Sequence, residues 1–227
     1  MTLKDNFEKI TNQISNTIEK AGRKSGSVRL LAVSKTVGSD KIQEMFDFGQ
    51  RAFGENRPQS LRDKAKELEK LPIEWHFIGH LQNNKIKYVY QVAALVHSID
   101  RRELLDEFID WAKKTGRKCP VLLEVHISGE EAKQGFEVEE VLDVIKDYRD
   151  NEFLDIRGMM GMALLDADNS LIRACFKKLA DLFEQSKSLE GPAYKAMELS
   201  MGMSGDYQIA IEEGATIVRV GTALFKE

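Results

Sequence analysis

Eight short apolar or β-branched runs alternate with longer amphipathic stretches from one end of the chain to the other, and this alternation limits the possible folds more than any other feature. The runs are residues 29–34 (RLLAVS), 51–54 (RAFG), 74–78 (EWHFI), 94–99 (ALVHSI), 120–127 (PVLLEVHI), 155–160 (DIRGMM), 196–200 (AMELS) and 216–220 (TIVRV). Helical patterns fall near residues 39–50, 57–70, 82–91, 101–115, 137–150, 168–188 and 204–213, and an additional helix at 3–22 precedes the first strand. Eight βα units in 227 residues fit a (β/α)8 TIM barrel near the lower end of its size range. A doubly wound open sheet is the weaker reading, because residues 34–38 (SKTVG), after the first strand, lack the G-x-G-x-x-G turn of a dinucleotide fold. No Pro/Ser-rich linker or shift in composition divides the chain, so one domain over residues 1–227 is expected.

Composition narrows the partners. With 33 Lys+Arg against 37 Asp+Glu, the net charge of −4 leaves no basic excess to attract nucleic acid or anionic lipid. Cys119 and Cys175 lack the spacing of a zinc or redox motif and read as buried thiols. The N-terminal twenty residues are amphipathic rather than an apolar leader, and no stretch reaches the roughly 18 apolar residues of a membrane span. A cytoplasmic protein without nucleic-acid or membrane partners is expected.

In a (β/α)8 barrel the chemistry stands at the C-terminal ends of the strands. Lys35 follows five apolar or small residues at the end of the first run, so its amine is expected at a desolvated barrel mouth, where the neutral, nucleophilic form is favoured for Schiff-base chemistry. The competing reading is a rim lysine whose head reaches water. Residues 200–206 (SMGMSGD), after the seventh strand, and Gly221-Thr222, after the eighth, resemble the phosphate cradle of such barrels. The alternative there is ordinary turn chemistry with Ser204 as an N-cap. Arg219, flanked by apolar residues on the last strand, points into the barrel and needs an acceptor, either Glu198 on the neighbouring strand or a ligand. His76 and His80 are separated by a strand end and make no metal pair; His97 and His126 read as core or rim histidines with satisfied nitrogens.

With those residues in view, the chain resembles the pyridoxal phosphate homeostasis family of PLP-binding proteins. The resemblance rests on LLAVSKT (30–36), FGENRPQ (53–59), IEWHFIGHLQNNK (73–85), HSID (97–100), ISGEEAKQGF (127–136), LSMGMSGDYQIAI (199–211) and GATIVRVGTALF (214–225), in order along nearly the whole length. It implies a barrel like the N-terminal domain of alanine racemase, with pyridoxal 5'-phosphate (PLP) held by Lys35 as a Schiff base. It further implies phosphate binding by Ser200, by backbone groups of the turn through Met201 and Gly202, and by Gly221 and Thr222. Arg219 would face the pyridine nitrogen, Asn56 would line the cofactor's side, and His80 and Met201 would border the pocket.

Racemisation needs a second acid or base on the opposite face of the cofactor, which alanine racemase takes from a second domain and a partner subunit. An eight-stranded barrel uses up this chain, and a guanidinium at the ring nitrogen can only donate. The expected protein is therefore a monomer that buffers PLP or delivers it to apoenzymes with little or no turnover. The rivals are a small PLP-dependent racemase and a cofactor-free Schiff-base aldolase.

Overall fold

The computed structural model describes residues 2–129, 134–164 and 166–226. The centre of the ISGEEAKQGF motif, residues 130–133, and the terminal Glu227 lie outside the described residues. Strands β1 (Arg29–Val33), β2 (Ala52–Glu55), β3 (Glu74–Phe77), β4 (Leu95–Ile99), β5 (Val121–His126), β7 (Ile156–Gly161), β8 (Tyr194–Ser200) and β9 (Ile217–Val220) pair in that order, all parallel. β9 returns to β1 with Leu31 opposite Arg219, so the sheet closes into the eight-stranded barrel that the alternation predicts.

Except for β8, whose Lys195 and Met197 are exposed, the strands are buried on both faces over most of their length, which is why these runs are largely apolar sequence. Alternate residues divide between two cores. Leu31, Ala52, Leu95, Leu122, Met160 and Ile217 form an inner cluster that fills the barrel. Their strand neighbours, such as Ala32, Phe53, Val96, Leu123, Met159 and Val218, pack outward under the helices. His76, His97, Glu124, Ser200 and Arg219 share the inward parity, and all five are buried. Gly158 marks a register shift between β7 and β8; at φ 138° its position has no room for a Cβ, which would stand 2.0 Å from Glu198 O.

The helices are α1 (Leu3–Lys20), α2 (Ser39–Asp47), α3 (Pro58–Glu67), α4 (Ile86–Val89), α5 (Arg102–Thr115), α6 (Val141–Tyr148), α7 (Asn169–Ser186), α8 (Tyr207–Glu212) and α9 (Thr222–Phe225). A capping box starts α1: Asp5 N–H donates to Thr2 Oγ1 and Thr2 N–H to Asp5 Oδ2. α1 buries Ile10, Ile14 and Ile18 and packs on α8 and α9, with Asn6 Nδ2 donating to Leu224 O and Lys226 O. It thereby braces the two elements that follow β8 and β9. Cys119 and Cys175 are free, buried thiols. No helix among the described residues is long and apolar enough to cross a membrane.

The sequence expectations differ from the structure at several edges. Residues 136–137 form a two-residue strand, β6, on the last residues of β5, so α6 begins at Val141 rather than at 137. Residues 204–206 form a turn, and α8 begins at Tyr207 with Asp206, not Ser204, at its N-cap position. α9 was not expected; it is a single turn after β9.

Candidate functional site

The C-terminal ends of six barrel strands surround one cavity of about 630 Å³, within the range of small-molecule and cofactor sites. β1 contributes Val33, Lys35 and Thr36; β2 is followed by Asn56, β3 by Ile78 and Gly79, β7 by Met162 and Leu164, and β8 by residues 203–206. Arg219, Gly221 and Thr222 complete the wall from β9. Lys35, Asn56, Arg219, Gly221 and Thr222, drawn from distant parts of the sequence, thus meet at one place.

Arg219 is only 5% exposed. Its Nη1 donates to Ser200 O and Ser200 Oγ, each at 2.8 Å, and its Nη2 to Gly161 O at 2.9 Å. A guanidinium has five N–H donors; three are taken in this way, leaving Nε–H and the second Nη2 hydrogen for the cavity. Glu198, the partner considered from sequence, instead pairs with Arg29 at 2.6 Å and accepts from Thr216. The register explains this: Ser200 lies opposite Ile217, so Glu198 sits toward the opposite end of the barrel from Arg219. Burial lowers the Arg219 pKa to about 10, against Glu124 and Asp206, which favour the charged form. It therefore remains a cation and a pure donor at neutral pH.

A second set of donors lies where β8 and β9 end. Ser204 Oγ accepts long hydrogen bonds from Gly221 N–H (3.4 Å) and Ala223 N–H (3.3 Å). Two backbone N–H groups and a hydroxyl thus face one another across the two final loops, a donor set suited to phosphate oxygens. Asp206 lines the same wall and accepts from Met203 N–H. Burial pushes its carboxyl above the usual carboxylate range. Gly221 also approaches Val33 closely; an added Cβ would lie 3.1 Å from Val33 O.

Lys35 differs from the sequence expectation in its setting. β1 ends at Val33, Ser34 is buried, and Lys35 opens an exposed turn at the rim, so its amine is not desolvated. The turn is anchored from below by Glu55, whose side chain is fully buried. Glu55 Oε1 accepts from Ser34 Oγ at 2.6 Å and pairs with Lys64 Nζ at 2.7 Å, while Oε2 accepts from Ser60 Oγ at 3.0 Å. Lys64 Nζ also donates to Ser34 O, at 2.9 Å. One carboxylate therefore fixes the residue immediately before Lys35.

Four residues expected at the site do not line the cavity. His80 lies on the rim with Nδ1 3.0 Å from Asp100 Oδ2. Ser200 is fully buried inside the barrel, its hydroxyl taken by Arg219 and by His97 Nδ1 at 2.9 Å. Met201 is fully buried in the outer core. Gly202 is a packing position: at φ 92° a Cβ would stand 2.5 Å from Ala210 Cβ. Ser204, Asp206 and Gly79 line the wall instead, and the Gly/Ser-rich run after β8 was the available signal for the first two. His97 has both nitrogens bonded, whereas His126 Nε2 is buried with no partner among the described residues.

Comparison with known proteins adds to this geometry. Residues 8–227 match the family model described as alanine racemase, N-terminal domain. A pyridoxal phosphate homeostasis protein of Vibrio cholerae is 40% identical over 230 residues, covering 100% of this chain and 96% of that one. A crystal structure of an unknown protein from Bifidobacterium adolescentis superposes with a TM-score of 0.94 at 35% identity, over 98% of this chain and 94% of that one. PipY of Synechococcus elongatus, solved with PLP bound, gives a TM-score of 0.81 at 32% identity, over 93% of this chain and 99% of that one.

Proposed function

This chain belongs to the pyridoxal phosphate homeostasis protein family, and from that premise we propose that it binds PLP in the barrel-mouth cavity and serves vitamin B6 homeostasis by holding the cofactor and passing it on. The observation that carries the reading is the meeting in one cavity of an amine, a buried cation with donors to spare, and a hydroxyl flanked by two backbone N–H groups. These are the partners that an aldehyde, a pyridine nitrogen and a phosphate require.

Bound PLP supplies an aldehyde that an amine captures reversibly and a ring that withdraws electrons. Lys35 is the amine. Its exposed turn leaves it open to water and to competing small amines, which suits reversible holding. Ser204 Oγ, the Gly221 and Ala223 N–H groups and the Thr222 hydroxyl are the phosphate donors; Asn56 and Met203 flank the site. A ring nitrogen placed against Arg219 would meet a donor and would stay unprotonated. An unprotonated ring is a weak electron sink, so the protein turns over little or nothing and acts as a monomeric cytoplasmic reservoir for PLP-dependent apoenzymes.

Replacing Lys35 by Ala should remove both the visible absorption of bound cofactor and its fixation by borohydride; an undiminished band places the linkage elsewhere. Holoprotein incubated with single L-amino acids should racemise or decarboxylate none of them near the ordinary enzyme scale of about 1 per second, yet restore activity to an added PLP apoenzyme. Enzyme-like turnover overturns the carrier reading.

A further inference from the structure

A continuous line of polar side chains runs down the inside of the barrel from Arg219. Arg219 Nη1 donates to Ser200 Oγ at 2.8 Å, Ser200 Oγ lies 2.9 Å from His97 Nδ1, and His97 Nε2 lies 2.8 Å from His76 Nδ1. His76 Nε2 faces Glu74 Oε2 at 4.0 Å, and Glu74, half-exposed at the start of β3, lies 3.6 Å from Arg29 Nη1. Ser200 and His97 are fully buried and His76 nearly so. The line therefore connects the cavity to the opposite rim of the barrel through a water-poor interior.

Burial holds His76 down to about 3, helped by the Arg29 charge. It holds His97 well below the usual histidine range, helped by His76, Arg219 and Arg29. Both rings are neutral, so each has one donor and one acceptor nitrogen. Arg219 has only donors, so Ser200 Oγ accepts from it. If His97 Nδ1 carried the proton and also donated to Ser200, the serine proton would have no acceptor in the line. His97 Nε2 would then accept from His76 Nδ1–H, and the bare His76 Nε2 would face the Glu74 carboxylate. The opposite assignment gives the serine and His97 protons acceptors: Ser200 donates to His97 Nδ1 and His97 Nε2–H to His76 Nδ1, while His76 Nε2–H faces the Glu74 carboxylate from 4.0 Å, an electrostatic approach rather than a hydrogen bond. Leaving the buried serine proton without an acceptor carries a desolvation cost that the second assignment avoids, which decides between the two.

We propose that Ser200, His97 and His76 are positioning residues for Arg219: a one-way hydrogen-bond line, with the proton of both imidazoles on Nε2, that locks one edge of the guanidinium and presents its other N–H groups to the cavity as fixed donors. The line leads protons away from the cavity, so it cannot protonate a ring nitrogen held against Arg219. The cofactor part rests on the PLP reading above; the tautomer part does not.

Two measurements test this. In unliganded protein labelled with ¹⁵N-histidine, His76 and His97, assigned by single substitutions, should show the neutral Nε2–H pattern unchanged between pH 6 and 8. An Nδ1–H pattern, or titration in that interval, overturns the line. In PLP-loaded protein, Ser200→Ala should keep borohydride fixation at Lys35 but weaken PLP affinity at least fivefold and shift the visible absorption, while Ser200→Thr, which retains the hydroxyl, should move back toward the parent. If Ser200→Ala does not fold, His76→Leu breaks the line without touching a partner of Arg219, and the same shift is expected. A folded variant with parental affinity and spectrum overturns the positioning role, whereas parent protein that takes up no PLP overturns the cofactor reading and leaves the tautomer result standing.

Discussion

Removing the Glu55 carboxylate should destabilise the protein more than an ordinary surface ion pair would. Glu55 is 0% exposed and Lys64 13% at the side chain, with Nζ 2.7 Å from Oε1. At that separation the attraction is about 6 kcal/mol for an effective dielectric of about 20, and much of it offsets the desolvation of two charges. Breaking the pair from one side leaves the other charge buried without its counter-ion, at a cost of about 3 to 5 kcal/mol. Glu55→Ala also strips the Ser34 and Ser60 hydroxyls of their acceptor. For a chain of this size each kcal/mol lowers Tm by about 2 to 4 °C, so the single variant should melt roughly 6 to 20 °C below the parent. Glu55→Leu combined with Lys64→Met buries no charge and should recover much of that loss. Thermal and urea unfolding of the two singles and the double give the coupling energy directly. Singles within about 0.5 kcal/mol of the parent, or a double whose loss equals the sum of the singles, would refute the argument.

Burial raises the Glu124 carboxyl to about 7, with the Asp100 charge adding to the rise and Arg219 opposing it. A carboxyl raised on folding gives stability that is full below its ordinary 4.5, falls as pH climbs from there to about 7, and is then constant. Glu124→Gln should therefore gain up to about 3 kcal/mol over the parent at pH 8 and almost nothing at pH 4.5; urea melts showing an equal difference at both pH values would contradict this. Gly79→Ala would put a Cβ 2.1 Å from Asn56 O, so it should cost about 1 to 3 kcal/mol or more and weaken PLP binding by displacing the loop after β2. Parental melting and affinity would show that the loop yields without cost.

The barrel was legible because both signals behind it are local: short buried runs and the amphipathic stretches between them. Arg219 could be aimed inward for the same reason, from apolar neighbours on its own strand. β6 was missed because two residues carry no period. α9 was missed because one turn of helix leaves no repeat. Lys35 was expected to be desolvated on the strength of the five residues before it, but the strand ends two residues earlier and the turn carries the amine outward. Parity could have placed Ser200 inside, since Leu199 next to it belongs to the outer core. The His76–His97 pair was not legible, because it depends on the register of β3 against β4, with His76 opposite Leu95, and nothing local fixes the register of two parallel strands.

A barrel that could have been filled with aliphatic side chains instead carries a guanidinium, two imidazoles, a hydroxyl and a carboxyl on its inner face. Each of these is costly to bury unless its hydrogen-bonding groups are matched. The line from Arg219 through Ser200 and the two histidines matches most of them within the protein, burial favours the neutral form of the Glu124 carboxyl, and two guanidinium N–H groups are left at the cavity end. An acceptor held there gains a pair of donors already desolvated and oriented, so the binding energy goes into recognising the ring rather than into ordering the protein. On the proposed reading, Lys35 would contribute the opposite property from its exposed turn, a bond that water and other amines could reach and reverse. Recognition by the buried end and reversible attachment at the open end would together suit holding and release better than turnover.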